Sequence, residues 1–260
     1  MRHWLPELAA LPLYPLLLMQ GRHARRVTPR LPEASGPTSG MAGASHGGTP
    51  LTLLTIGESP VAGVGVGSHE EAITGCFAAA LAERLARPVA WQAHGRNGVT
   101  VREAMHTVLP QVPAAPADIV LVAFGVNDTT AFRSASRWRA DLQALLRAVE
   151  ARCSPRLLLL SGVPPVGLFP ALPHPLRWVL GMKARSLDLA ARELVGAGHR
   201  ALHVPLELDP HGGLMASDGF HPSHAGCLAW AAALAARSAD ALGAPGTSGA
   251  SGGWAASRGA

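Results

Sequence analysis

Five short apolar runs, each bounded by turn-forming residues and separated from the next by a stretch of helical periodicity, constrain the fold of this chain most. The runs are Leu51 to Ile56, Val89 to Ala93, Ile119 to Phe124, Leu157 to Ser161 and Ala201 to Val204. Strands covered by helices on both faces read as continuous hydrophobic segments rather than alternating ones. Between and after the runs lie Glu70 to Ala86, Val101 to Val112, Ser136 to Arg152, Leu176 to Val195 and Ser223 to Leu242. In the third of these, Trp138, Leu142, Leu145, Leu146 and Val149 mark one helical face. This alternation predicts an α/β fold, a doubly wound sandwich in which a five-stranded parallel sheet is joined by right-handed helical crossovers. At 260 residues with 48% hydrophobic content, the chain can bury one such core, and nothing suggests two.

Open parallel sheets bind ligands beyond the carboxyl ends of their strands, so the residues that follow the runs are the site candidates. Ser59 in Gly57-Glu58-Ser59 follows the first run, Gly98 in Gly95-Arg96-Asn97-Gly98 the second, and Asn127 in Gly125-Val126-Asn127-Asp128 the third. Asp218 and His221, in Asp218-Gly219-Phe220-His221, lie in the loop after the fifth. A serine hydroxyl is a poor nucleophile near neutral pH unless an imidazole takes its proton, and a carboxylate fixes that imidazole's tautomer. Attack on an ester carbonyl places negative charge on its oxygen. A donor already aimed there contributes about 3 kcal/mol in the transition state, and Asn127 offers an amide while Gly98 offers a backbone N–H that no Cβ obstructs. Singly, each motif has an ordinary reading as a turn or a capped loop. Their order and shared edge make the site.

In that order the four motifs resemble the blocks of the SGNH hydrolases, the GDSL-type esterases and lipases, over residues 52 to 236. The resemblance implies a flavodoxin-like three-layer sandwich with strand order 2-1-3-4-5. It also implies a catalytic triad of Ser59, His221 and Asp218, and an oxyanion hole formed by Ser59, Gly98 and Asn127, acting through an acyl-enzyme with no metal or cofactor. Glu58 stands where the family commonly has Asp, so the bracing of the turn behind Ser59 is expected to differ. The second block lacks its usual surroundings. Gly98 is preferred because Gly98-Val99-Thr100 fits the family's Gly-x-Thr, and Gly95 is the alternative. The family includes lysophospholipases, thioesterases, arylesterases and carbohydrate acetylesterases, and its motifs do not name the substrate. Lipid-like or simple acyl esters are the expectation. A carbohydrate O-acetylesterase is the alternative enzyme, and a catalytically silent ligand-binding relative is the alternative of another class.

Other constellations are weaker. Gly63-Val64-Gly65-Val66-Gly67 has the look of a nucleotide-binding loop but the wrong glycine spacing, and no Walker lysine accompanies it. No G-x-S-x-G surrounds Ser59. Cys76, Cys153 and Cys227 are widely spaced and odd in number, and His221 with His224 lacks further ligands nearby, so neither a disulfide framework nor a metal site is indicated. His224 is expected to open the last helix. The net charge of +5 does not point to nucleic acid: Arg2, Arg22, Arg25, Arg26 and Arg30 against Glu7 place +4 of it in residues 1–30, leaving a nearly neutral body.

The reading divides the chain into an apolar and basic N-terminal arm (1–32), a flexible Gly/Ser/Pro/Ala-rich linker (33–50), the hydrolase domain (51–242) and a disordered tail (243–260). Leu8 to Met19 is apolar but only 12 residues long and interrupted by Pro12 and Pro15, short of the roughly 20 that span a bilayer. The expectation is a membrane-associated arm whose arginines meet anionic headgroups and keep the domain cytoplasmic, against the alternatives of an arm packed on the body or a secretory signal without a close cleavage site. The proline-rich segment Val163 to Pro173 reads either as a wall of an acyl pocket or as a rigid packed connection.

Overall fold

The computed structural model of the protein describes residues 3–197, 201–206 and 213–243. Among them six strands form one sheet: β1 (Ser39–Ala42), β2 (Leu51–Gly57), β3 (Val89–Gly95), β4 (Ile119–Ala123), β5 (Leu157–Ser161) and β6 (Leu202–Val204). Their order is β1-β3-β2-β4-β5-β6. Strands β2 to β6 pair in parallel, and with β1 set aside they carry the 2-1-3-4-5 order expected above.

The helices are α1 (Leu5–Ala10), α2 (Tyr14–Val27), α3 (Ile73–Leu85), α4 (Val101–Thr107), α5 (Val126–Thr130), α6 (Ala135–Cys153), α7 (Leu176–Gly196) and α8 (His224–Gly243). Two cores flank the sheet, and β4 shows why its run is unbroken. Ile119 and Leu121 point into the core formed with α3 and α8, while Val120 and Val122 point into the one formed with α4, α6 and α7. The helical stretch expected to reach Val112 stops at Thr107 and resumes as a 3-10 turn, Leu109–Gln111. Pro110 explains the break, since it has no N–H and disfavours helical backbone in the residue before it.

One expectation about the appendages needs correction. Residues 33–50 are not a free linker. Ser39–Ala42 pairs antiparallel with β3 and makes the sixth strand, while the Ala34 N–H donates to the Ala62 carbonyl at 3.1 Å. A four-residue edge strand of mostly exposed side chains has no hydrophobic alternation to read. Its Gly40 lies so close to Trp91 that a Cβ would stand 2.6 Å from the indole. The N-terminal arm packs on the body, the alternative considered above: Leu17 and Ala24 enter the core beside α7, and the fully buried Lys183 of α7 forms an ion pair with Glu7. Of the expected tail, Gly243 closes α8, and 244–260 fall outside the described residues.

Candidate active site

Ser59 sits in a tight turn just past β2. The Val61 and Ala62 N–H groups fold back onto the Glu58 carbonyl at 3.0 and 3.1 Å. Gly57 and Gly95 are paired at the ends of β2 and β3. A Cβ on Gly95 would press into the backbone of Val61 and Ala62, so glycine there lets the turn lie against β3. Gly98, three residues on, is different. A Cβ would meet nothing, but its φ of +80° is a conformation that favours glycine. The backbone N–H groups of Ser59 and Gly98 have no acceptor among the described residues, which leaves both available to an incoming oxygen.

Two buried carboxylates tie these loops together. Glu58 Oε1 accepts the Val126 N–H at 2.8 Å, and Oε2 accepts the Asn127 N–H at 3.0 Å and the Asn127 Nδ2 amide at 2.6 Å. The carboxylate thus occupies the N-terminus of α5, where unpaired N–H groups and the helix dipole favour negative charge. Burial nevertheless pushes the Glu58 carboxyl up to about 7, with the Asn127 and Val126 bonds pulling the other way and Asp128 adding to the rise. Asp128 repeats the device one loop further on: its Oδ2 accepts the N–H of Val101, the first residue of α4, at 3.0 Å. Burial raises it as well, to about 6. Thr100 and Glu103 close the same helix end with a reciprocal capping box. Asn127 Nδ2 also donates to the Val99 carbonyl at 3.1 Å, so its two amide hydrogens point at Glu58 and Val99, beside Gly98.

Across the edge, Asp218 Oδ2 lies 2.6 Å from His221 Nδ1. Asp218 Oδ1 accepts the N–H groups of Phe220 and His221 at 2.9 and 3.0 Å. Burial alone would raise this carboxyl, but the bonds from His221 and Phe220 outweigh it and hold Asp218 below its ordinary range. His221 Nδ1 therefore carries its proton toward a carboxylate and leaves Nε2 free to accept. Neither Nε2 nor Ser59 Oγ is hydrogen-bonded to another described residue.

Ser59 and His221 border one small cleft, open in part to solvent, whose other walls are Pro60, Val126, Pro164, Phe169, Met215, Phe220, Pro222 and Trp230. The proline-rich segment packs into the core through Val163, Val166, Phe169 and Leu172, and Pro164 and Phe169 also line the cleft. The Ala171 N–H donates to the Gly219 carbonyl at 3.2 Å, and Phe220 meets both Phe169 and His221 edge to face, steadying the imidazole. The glycine run at 63–67 serves close approach. A Cβ on Gly65 would stand 2.6 Å from the Pro222 carbonyl and 3.3 Å from His221 Cβ, so the run lets the histidine loop close on the serine turn.

Ser59, Gly98, Asn127, Asp218 and His221 thus gather on one sheet edge. Glu33, Gly65 and Asp128, not singled out as site residues from sequence, hold the surrounding loops. The Glu33 carboxylate accepts the Asn97 N–H at 2.8 Å, next to Gly98. Among the described residues no cluster of three or more His, Cys, Asp or Glu is placed to hold a metal ion. Residues 55–229 match the model of the GDSL-like lipase/acylhydrolase family. The chain belongs to this family.

It is accordingly a carboxylic ester hydrolase. The fold of this GDSL-like acylhydrolase is shared with solved structures at low identity. A lipase/acylhydrolase from Enterococcus faecalis aligns at 20% identity and a TM-score of 0.55, covering 74% of this chain and 96% of that one. A family 3 carbohydrate esterase from Clostridium thermocellum aligns at 15% identity and 0.56, covering 75% and 98%. A Corynascus thermopiles (Myceliophthora fergusii) carbohydrate esterase family 2 enzyme with its carbohydrate-binding domain aligns at 14% and 0.56, covering 82% and 69%. No curated protein matches the sequence.

Proposed function

We propose that this acylhydrolase cleaves esters of apolar acyl groups, with Ser59 as nucleophile, His221 as general base and acid, and Asp218 as the group that orients His221. His221 Nε2 takes the Ser59 hydroxyl proton as Oγ attacks the acyl carbonyl carbon. The tetrahedral intermediate collapses to an acyl-enzyme as Nε2 returns the proton to the leaving alcohol, and water repeats the sequence to release the acid. The developing oxyanion takes the free N–H groups of Ser59 and Gly98. Asn127 supplies the third donor by turning the longer of its two amide bonds, that to Val99 at 3.1 Å, toward the substrate oxygen while Glu58 keeps the other. Glu58 and Asp128 are positioning residues.

The cleft lining carries the substrate reading. Apart from Ser59 and His221 its walls are proline, aliphatic, methionine and aromatic side chains, and the indole N–H of Trp230 is already spent on Ser161 Oγ at 3.1 Å. Such a surface rewards burial of an acyl chain and offers few partners to sugar hydroxyls. The test is the kcat/KM of a p-nitrophenyl series from acetyl to dodecanoyl, run beside a lysophospholipid and an acetylated xylo-oligosaccharide, with Ser59→Ala as control. Each added methylene should raise kcat/KM by a few-fold until the cleft is filled, as expected for ~0.8 kcal/mol per buried methylene. A preference for the acetylated sugar over every acyl chain would overturn the substrate reading, and undiminished turnover by Ser59→Ala would overturn the mechanism.

A further inference from the structure

The N-terminal arm leaves an unusual face uncovered. Among the described residues, nine of the thirteen exposed large hydrophobic side chains belong to the first 27 positions, so the apolar surface is concentrated on one appendage of an otherwise well-buried fold. Trp4, Leu8, Leu11, Tyr14 and Met19 are each more than half exposed, Leu11 reaching 69%. Docking of the arm does not account for them, because Pro6, Leu17 and Ala24 make the inward contacts while these residues point away.

The charge on the same element is equally one-sided. Arg22, Arg25, Arg26 and Arg30 are exposed, and none pairs with a carboxylate among the described residues. Glu7, the only acidic residue in 1–30, is committed to Lys183. Along α2 the outward side chains change from Leu18 and Met19 to Arg22 and Arg26 over about one turn. A bilayer has the same profile, hydrocarbon next to anionic headgroups, and aromatic residues such as Trp4 and Tyr14 prefer the boundary between them. A nucleic acid would match the arginines but leave the apolar side chains in water. The arm is also fixed to the active-site wall. Gln20 accepts the Leu176 N–H at 3.1 Å and donates to the His174 carbonyl at 2.6 Å, just beyond the segment that supplies Pro164 and Phe169 to the cleft. No helix among the described residues is long and apolar enough to cross a membrane.

We infer that the outer face of α1 and α2 is a docking surface for an anionic lipid bilayer, on which the enzyme lies without spanning it and with the hydrolase domain held against the interface by the Glu7–Lys183 pair and Gln20. Flotation of the full chain with phosphatidylcholine vesicles, with and without about one third phosphatidylglycerol, tests this. Binding should require the anionic lipid. It should fall on the order of 100-fold when Arg22, Arg25 and Arg26 are replaced by alanine, at about 5-fold per arginine. It should also be lost in Leu8→Glu/Leu11→Glu/Met19→Glu, while both variants keep wild-type circular dichroism and soluble-ester turnover. Ser59→Ala should float like the wild type, which separates this inference from the proposed chemistry. Equal binding to neutral vesicles, no flotation at all, or a dimer in solution that the apolar triple variant dissolves would overturn it.

Discussion

Glu58→Gln is the substitution whose consequences the structure sets out most fully. The carboxylate is buried, faces three N–H donors from Val126 and Asn127, and titrates near 7 rather than 4.5 because burial outweighs those donors. In the folded protein Glu58 therefore holds its proton across a range where the unfolded chain has lost it. The sign follows from linkage: its contribution is fully present below about pH 4.5 and is lost as pH rises through about 7. Between about pH 5 and pH 8 the wild type should lose about 2.5 kcal/mol of unfolding free energy from this group alone, at ~1.36 kcal/mol per unit of pKa difference. Glutamine cannot titrate. It presents one carbonyl oxygen to donors that two oxygens now share, a cost that is real but independent of pH. Asp128, which burial raises to about 6, remains in the variant, so that part of the pH dependence should persist while the Glu58 part disappears. The assay is urea unfolding followed by circular dichroism for both proteins at several pH values. Parallel pH profiles would refute the claim that burial governs this carboxyl.

The other predictions concern individual groups of the site. Asn127→Ala should lower kcat by roughly 100-fold to 1000-fold with a smaller change in KM, as expected for a donor felt mainly in the transition state; steady-state kinetics on the preferred ester checks this, and a folded variant with unchanged kcat would remove Asn127 from the oxyanion hole. Asp218→Asn preserves an oxygen for the Phe220 and His221 N–H groups but can set an amide donor against His221 Nδ1, which favours the wrong tautomer. Its kcat should fall about 10⁴-fold while the melting temperature changes little. Gly98→Ala meets no atom and should cost only the ~1–2 kcal/mol of a left-handed alanine, whereas Gly95→Ala drives a methyl into the Val61–Ala62 backbone and should cost more. Thermal melts of the two variants give the order, and the reverse order would contradict the geometry.

Much of the fold was legible because burial on both faces turns each parallel strand into an unbroken apolar run, and amphipathic helices mark the crossovers between them. The placement of the candidate site residues was legible for a related reason: a parallel sheet carries the residues after its strands to one edge, so Ser59, Gly98, Asn127 and His221 met there. What escaped notice has no period. The strand Ser39–Ala42 is short, contains a glycine and lies on an edge, and so looked like a linker. The glycines at 63–67 lack the spacing of a phosphate loop, but sequence does not reveal that Gly65 faces the His221 loop more than 150 positions away. Whether the arm packs on the body could not be read locally, because Glu7 finds its partner, Lys183, at a separation of 176 residues. Long-range polar pairing is the common element. Glu33 accepts an N–H beside Gly98, Glu58 accepts those at the start of α5, and Asp128 accepts the one at the start of α4. Each carboxylate binds a loop other than its own. The relative placement of the proposed nucleophile and oxyanion donors is thus set to a large degree by acceptors whose spacing in sequence is unrelated to helix or strand geometry, Glu58 among them.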